Sequence, residues 1–398
     1  MSCNEWKEYK LEELSINYNS KRKPLSSRER EHKKGCFPYY GAQGIIDHLD
    51  DYIFDGEYLL IAEDGNNLRE RKEDIARIAT GKFWVNNHAH IITNNKLSDI
   101  RFLKYYINNL DISSYITGSA QPKLNKANLN NIKIVTPKLE EQEKIANILS
   151  SLDDKIQLNN EMNKTLEEMA QALFKRWFVD FEFPSVDGEP YKSSGGEMVE
   201  SELGMIPKGW EVKSLDEIAD FLNGLAMQKF RPKEDDKDYL PVLKIKELKQ
   251  GNTSNDSDRC SCNIDKKYII TDGDVIFAWS GSLDVRIWCG GEAGLNQHLF
   301  KVTSQDYPKW FYYLWVKRYL DDFIRIAADR ATTMGHIKRS NLSEAKVLAP
   351  SKETIKLMGD KLGYLIDAYI EKNREVKHLV NLRDTLLPKL MSGEIRVK

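Results

Sequence analysis

The stretch "GWEVKSLDEI" (Gly209 to Ile218) decides how this chain folds, because it is a second beginning. Near the amino terminus "EWKEYKLEEL" (Glu5 to Leu14) places Trp6, Leu11, Glu13 and Leu14 where the later stretch has Trp210, Leu215, Glu217 and Ile218. Self-similarity at long period marks an architecture built from repeated units. The echo continues outward in order. "DGEYLLIAEDG" (Asp55 to Gly65) is answered by "DGDVIFAWSGS" (Asp272 to Ser282), and "NNHAHII" (Asn86 to Ile92) by "NQHLFKV" (Asn296 to Val302). "FLKYYI" (Phe102 to Ile107) pairs with "FYYLWV" (Phe311 to Val316), and "ANLNNIKIVTP" (Ala127 to Pro137) with "SNLSEAKVLAP" (Ser340 to Pro350). The offset between partners drifts from 204 to 217 residues while the order holds, so the scaffold repeats and its loops differ in length.

Each repeat ends in a long segment of helical period. The first carries Ile145, Leu149, Leu152, Ile156, Leu166, Ala170, Leu173 and Trp177, with Asn159 and Asn163 in the same stripe. The second carries Met358, Leu362, Leu365, Tyr369, Val376, Leu379, Leu386 and Leu390, interrupted by Lys372 and Arg383. Steps of three and four make one apolar face per helix. Helices of about 35 to 40 residues would each run roughly 55 Å, more than a compact domain needs. The first is net acidic and the second net basic, so pairing them satisfies both seam and charge, with Asn159 opposite Lys372 as a register-fixing layer. The expected division is a globular domain over 1–138, a long helical segment over 139–183, a Pro/Gly/Ser-rich linker over 184–206, a second domain over 207–350, and a helix with tail over 351–398. The aromatic exit from the first helix (Trp177, Phe178, Phe181, Phe183) is expected to dock on the neighbouring domain.

A chain of 398 residues with 41% apolar residues can bury more than one core. Five scattered cysteines point to a reducing cytoplasm without a disulfide framework, and Cys260 and Cys262 lack a second pair at zinc spacing. Neither a signal-peptide core nor an uninterrupted apolar run of about eighteen residues is present. The chain holds no phosphate-binding loop, no zinc-protease motif, no nucleophile elbow and no dinucleotide fingerprint. It also lacks the glycine-rich cofactor loop and the catalytic turn of a DNA methyltransferase. Asp272 with Asp274, or Glu63 with Asp64, offers a rival reading as a magnesium-dependent nuclease, but acids beside a Gly turn are usually turn formers. His88 and His298 each precede an apolar strand and read as satisfied, partly buried imidazoles.

What remains is recognition without catalysis. The net charge of −2 is uneven: +3 over 1–138, −5 over 139–183, −3 over 184–350 and +3 over 351–398, so a DNA-binding face must be local. "KRKPLSSREREHKKG" supplies Lys21, Arg22, Lys23, Arg28, Arg30, Lys33 and Lys34, and "FPYYGAQGI" follows with Tyr39, Tyr40 and Gln43. Cations bind phosphates, while Gln reads adenine and Arg reads guanine in the major groove. Near the end of the first repeat "TGSAQPKLNK" adds Ser119, Gln121 and Lys123. The second repeat offers Gln228, Lys229, Arg231, Lys244 and Lys246, then Ser280 and Ser282, and in "RATTMGHIKRS" Thr332, Thr333, His336, Lys338 and Arg339. A stand-alone sequence-specific DNA-binding protein is the other reading of these residues.

Taken together, "ELGMIPKGWEVKSL" (Glu202 to Leu215), "GSAQPKLNKANL" (Gly118 to Leu129), "FVDFEFP" (Phe178 to Pro184) and "LRDTLLPKLMSGEI" (Leu382 to Ile395) resemble the specificity (S) subunits of type I restriction-modification systems. The resemblance, with the doubled layout, spans the chain. It implies an α+β (mixed α/β) fold: two similar DNA-recognition domains with a pseudo-two-fold internal repeat, separated by two long antiparallel helices in a coiled-coil-like pair. Each domain would read one half of a bipartite, asymmetric site, with the helices as a ruler for the spacer. The partners implied are duplex DNA, two modification subunits that bind S-adenosylmethionine and methylate adenine, and restriction subunits that hydrolyse ATP with Mg. No catalytic residue, metal or cofactor is expected in this chain. The net-acidic second domain departs from this pattern and leaves two alternatives, fewer DNA contacts of its own or a modification subunit that clamps the duplex for it.

Overall fold

The computed structural model describes residues 6–185, 187–233, 238–329 and 335–397. The chain divides into two compact units, Met1–Lys155 with Leu379–Lys398, and Ile156–His378. Both long helices form, over Leu139–Phe178 and Lys352–Met391, and each contributes one stretch to each unit.

The first unit is built on a six-stranded sheet in the order Ser15–Asn17, Ala89–Asn94, Phe54–Ala62, Ala76–Val85, Lys34–Gly41, Gly44–Leu49. Neighbours are antiparallel except Lys34–Gly41 beside Ala76–Val85, where Tyr39 and Tyr40 run parallel to Trp84 and Val85. Side chains alternate across a strand, and the central strand "FDGEYLLIA" is apolar on both faces. Leu59 and Ile61 join the core under the helix Ile100–Asn109, while Phe54 and Leu60 join Phe83, Val85 and Ile91 on the other side. That helix starts where it does because the Asp99 carboxylate accepts from the amides of Arg101 and Phe102 at 2.8 and 3.0 Å.

The second unit repeats this plan with one break. Two strands, Asp284–Ile287 and Ala293–Leu295, stand where the first unit has the single strand Ala76–Val85. The sheet is thereby split into two four-stranded sheets, Asp220–Asn223, Leu299–Thr303, Val275–Ala278, Asp284–Ile287 and Arg259–Ser261, Tyr239–Leu243, Ala293–Leu295, Ile269–Ile270. The cause lies in "WCGGE". The Trp288 indole folds back to donate to the Gly291 carbonyl at 2.6 Å, its ring fills the place a Cβ on Gly290 would need, and Gly291 has φ +86°. In both units the Trp start is a short strand pairing with the last strand of the repeat: Lys7–Lys10 with Lys133–Thr136, and Glu211–Ser214 with Lys346–Ala349.

Sheet register corrects the pairing of the two repeats by one residue. Leu59 lies opposite Ile92 and Val275 opposite Val302, so Asp64 answers to Ser280, rather than Glu63 as the aligned strings imply. The Asp-Gly dipeptides that anchor the string alignment are turn residues ahead of the strand, and turn lengths vary where strand registers do not.

Within the first unit the helices run antiparallel: Asp153 accepts from Arg383 at 3.0 Å, and Glu141 from Arg396 at 2.7 and 2.8 Å. Leu149 is buried there, while Leu152, Leu379 and Leu386 are half-buried. Asp153 also takes the Tyr105 hydroxyl at 2.6 Å and Lys104 at 3.3 Å. Burial opposes its charge, but those donors and Arg383 hold the carboxyl below its usual pKa. In the second unit Leu362 and Leu365 are buried, with Leu166, Leu173 and Tyr369 packed against the same core and Ile156 half-buried. Asn159 and Asn163 are buried there, and no amide atom of either has a hydrogen-bond partner among the described residues. Lys372 is bound to Glu375 at 2.7 Å. The expected Asn159–Lys372 layer is therefore replaced by a pair of buried amides. The segment between the repeats forms a hairpin, Met198–Ser201 with Gly204–Pro207, and Phe183 lies 4.6 Å from Tyr191 and 4.9 Å from Trp210. Trp177, Phe178 and Phe183 are all buried in this core.

Candidate nucleic-acid interface

In each unit three distant segments meet where the central strand ends. In the first unit they are residues 63–65, the turn 86–90, and 117–124. Glu63 N–H donates to the His88 carbonyl (2.9 Å), Leu124 N–H to the Glu63 carbonyl (2.8 Å), and Gly65 N–H to the Pro122 carbonyl (3.2 Å). The Asn86 carboxamide oxygen accepts the His88 amide at 2.8 Å. The second unit reproduces every one of these bonds. Trp279 N–H donates to the His298 carbonyl (3.4 Å), Ile337 N–H to the Trp279 carbonyl (3.1 Å), Gly281 N–H to the Gly335 carbonyl (2.8 Å), and His298 N–H to Asn296 Oδ1 (3.2 Å). Asn19 and Asn223 also answer to each other through the register of the edge strands.

The side chains on this shared frame differ. In the first unit Arg22 donates to Glu63 at 2.7 Å and to the carbonyls of Asn87 and Ala89 at 3.3 and 2.8 Å, while Lys123 stands 3.4 Å from Glu63. Burial alone would raise the Glu63 pKa, but Arg22 first, with Lys123, holds it below its ordinary value. His90 is fully buried. Its Nε2–H donates to the Leu124 carbonyl at 2.6 Å and its Nδ1 accepts from Asn19 at 2.7 Å, an arrangement that suits the neutral ring. Burial pushes the His90 pKa down. His88, half of whose side chain is exposed, places Nδ1 2.6 Å from Asp64. In the second unit the places of Glu63 and His90 fall to Trp279 and Phe300, which stack at 5.6 Å, and the Trp279 indole donates to Asn223 at 3.0 Å. Ser280 is buried with its hydroxyl 2.9 Å from His298 Nδ1, and His336 pairs with it by an isolated bridge.

The other candidates sort by what holds them. Arg30 is tied to Asp47 and the Leu25 carbonyl at 3.0 Å each, and Lys34 reaches Asp47 at 2.6 Å. Lys34 first, then the His48 amide and Arg30, hold the Asp47 carboxyl at about 2. Lys33 lies 3.8 Å from Asp50. Tyr39 is a core residue whose hydroxyl accepts the Leu25 amide at 2.9 Å. Tyr40 is half-buried against Phe83, and burial raises its pKa. Lys21, Lys23, Arg28 and Gln43 are exposed, as are Ser119 and Gln121. Gly118 (φ +83°) turns the Ser119–Gln121 loop, and Arg69 pins it through the carbonyls of Gly118 and Ser119 at 2.7 and 3.1 Å.

In the second unit Gln228, Lys229, Arg231 and Lys246 are exposed, while Lys244 is paired with Asp258 and Lys249 donates to Ser282. Lys338 opens the short helix Arg339–Glu344, and Arg339 donates to the Phe221 carbonyl at 3.1 Å while lying over the Phe300 ring. Thr332 and Thr333 lie outside the described residues.

The acids of the nuclease reading are structural. Asp272 accepts the Gly291 amide at 2.6 Å, and Asp274 pairs with Lys301 at 2.8 Å and the Thr271 amide at 2.8 Å. Among the described residues no group of three or more His, Cys, Asp or Glu gathers as a metal site, and no helix is long and apolar enough to cross a membrane. Sequence reasoning set His88 and His298 aside. The signal that finds them is that the imidazole stands at the same register position in both repeats and is hydrogen-bonded through the same nitrogen.

Comparisons with known proteins bear on this doubled arrangement. The family model "Type I restriction modification DNA specificity domain" matches twice, at residues 4–168 and 207–380. A putative type I restriction enzyme specificity subunit of Haemophilus influenzae is 39% identical over 148 residues, 37% of each chain. The type I restriction enzyme MjaIX specificity subunit of Methanocaldococcus jannaschii is 29% identical over 317 residues, 75% of this chain and 69% of that one. The crystal structure of a type I restriction-modification S subunit from M. genitalium has the same fold, with TM-score 0.66 over 98% of this chain and 97% of that one at 14% identity. With both repeats matched, the chain belongs to the type I restriction-modification DNA specificity family.

Proposed function

We propose that this chain reads a bipartite, asymmetric duplex site, one half with each sheet-bearing unit, and that its two long helices set the unread spacer. Family membership makes it the DNA-recognition subunit of a type I restriction-modification system, a non-catalytic chain that directs methylation and cleavage by partner enzymes. One observation carries the two-half reading: the junction is present twice on one backbone frame with different side chains, as needed to read two different half-sites in related ways. Each 40-residue helix is about 60 Å long, enough for half-sites one or more turns of about 34 Å apart.

In this reading residues 1–138 and 207–350 are the two recognition domains. Phosphate and base contacts come from exposed residues of each: Lys21, Lys23, Arg28, Gln43, Ser119, Gln121 and Lys123 in the first, and Gln228, Lys229, Arg231, Lys246, His336 and Lys338 in the second. Adenine methylation belongs to two cytoplasmic modification subunits that bind S-adenosylmethionine, and cleavage to restriction subunits that use ATP and Mg. Because 184–350 is net −3, those partners supply part of the charge that holds DNA, and affinity of the isolated chain is weak and strongly salt-dependent. The test is a genome-wide map of methylated adenines with and without this gene. Loss of a split, two-part motif on deletion is the expected result; an unchanged map in a strain whose system is active refutes the reading.

A further inference from the structure

The two junctions differ in most side chains; besides the asparagines Asn86 and Asn296, and Asn19 and Asn223, they keep the imidazole of His88 and His298. Each ring is turned the same way. The Asp64 carboxylate accepts only, so the His88 Nδ1, 2.6 Å away, carries the hydrogen, and in the neutral ring Nε2 is the acceptor. In the second unit the Gln297 amide donates to His298 Nε2 at 3.3 Å, so Nδ1–H donates to the Ser280 hydroxyl at 2.9 Å. One tautomer is thus selected twice by different means, a carboxylate in one unit and a hydroxyl with an amide in the other. A ring needed only to fill space has no use for this, since an apolar residue would fill the same place without a polar partner. Neither ring is sealed in: half of the His88 side chain is exposed, and His298 is only partly covered. Around them the neighbouring residues vary from unit to unit, exposed Lys123 against exposed His336 and exposed Asn87 against half-buried Gln297.

We propose that His88 and His298 are specificity-determining residues, each offering Nε2 as an acceptor to the exocyclic amino group of an adenine or cytosine in its own half-site, with Asp64 and Ser280 holding the ring. This rests on the two-half-site reading above. In the major groove those amino groups are the donors, whereas guanine and thymine present acceptors at the corresponding edge. The Gln297 amide is displaced from His298 Nε2 when the base arrives and is then able to make its own contact.

The experiment uses the complete system in its host, with the methylated motif assembled genome-wide for each variant. His88→Ala is expected to leave one half of the motif intact and to make one adenine- or cytosine-bearing position of the other half degenerate, with discrimination there falling about tenfold or more. His298→Ala does the same to the opposite half. Asp64→Ser, which gives the first unit the support found in the second, keeps the original motif. An unchanged motif in both alanine variants, degeneracy in both halves from one variant, or loss of all methylation, whether or not the subunits still assemble, overturns the proposal and assigns the rings to the scaffold. A wild-type chain that yields no split motif overturns the two-half-site reading instead.

Discussion

The junction of the first unit is charged and that of the second is aromatic, although the same backbone hydrogen bonds draw both. Where the first buries Arg22 against Glu63 and a neutral His90, the second stacks Trp279 on Phe300. A strand frame fixes where side chains emerge and which face they take. It leaves their chemistry open, provided each buried polar group finds a partner. The comparison teaches how one scaffold in two copies can present different surfaces: the backbone bonds carry the geometry, so the side chains are free to diverge.

Removing the charge from the first junction should have the largest effect. Arg22→Ala leaves the largely buried Glu63 carboxylate with only Lys123 at 3.4 Å and two carbonyls without their donor. Breaking such a pair costs about 3 kcal/mol or more. Hydrogen exchange resolved along the chain should show the loss in the first unit and leave the second unaltered. Equal loss in both would mean that the two units unfold as one. Trp279→Ala is the matching change in the second unit. That ring is partly exposed, so about 2 kcal/mol is expected, below the range for a fully buried Trp, again confined to its own unit.

Acid should also separate the units. Burial lowers the His90 pKa below its ordinary 6.5, so the folded first unit holds the neutral ring. Above pH 6.5 the unfolded chain is neutral there too, and folding carries no proton penalty. As pH falls through 6.5 the unfolded chain takes a proton that the folded unit refuses, and stability of the first unit declines by up to about 1.4 kcal/mol per pH unit. Phe300 holds this place in the second unit and does not titrate. His90→Phe should therefore flatten the first unit's profile between pH 7 and 5; a slope that survives the substitution places the titrating group elsewhere.

The smallest effect is expected at the helix seam, where the units differ in the opposite sense. Asp153 in the first unit has three donors, while the Asn159 and Asn163 amides in the second have none among the described residues. Asn159→Leu should therefore stabilise the second unit by about 1 kcal/mol, read as a raised unfolding midpoint. A loss would show that the amides make a contribution the folded seam needs.

The doubled plan, the two long helices and the absence of known enzyme motifs were legible in the sequence, because each rests on local pattern: a period of three and four, an ordered set of echoes, a missing string. Recognition by cations was legible only as a region. Arg22, Arg30 and Lys34 look no different in composition from Lys21, Lys23 and Arg28, but the first three are held by carboxylates from strands and turns far along the chain. Tyr39 and Tyr40 are adjacent and point to opposite faces, one into the core and one half-open, as strand alternation requires.

By itself the sequence determined that this chain is two similar domains and two long helices, since hydrophobic period and repeat order are properties of neighbours in the chain. Only the tertiary structure decided that Asp64 answers to Ser280, that Asn159 meets no cation, and that His88 and His298 hold one tautomer on one frame. Those facts depend on register and on hydrogen bonds between separate segments, as between Asp64 and His88, 24 residues apart, and Ser280 and His298, 18 apart, and no local pattern encodes which distant donor meets which acceptor.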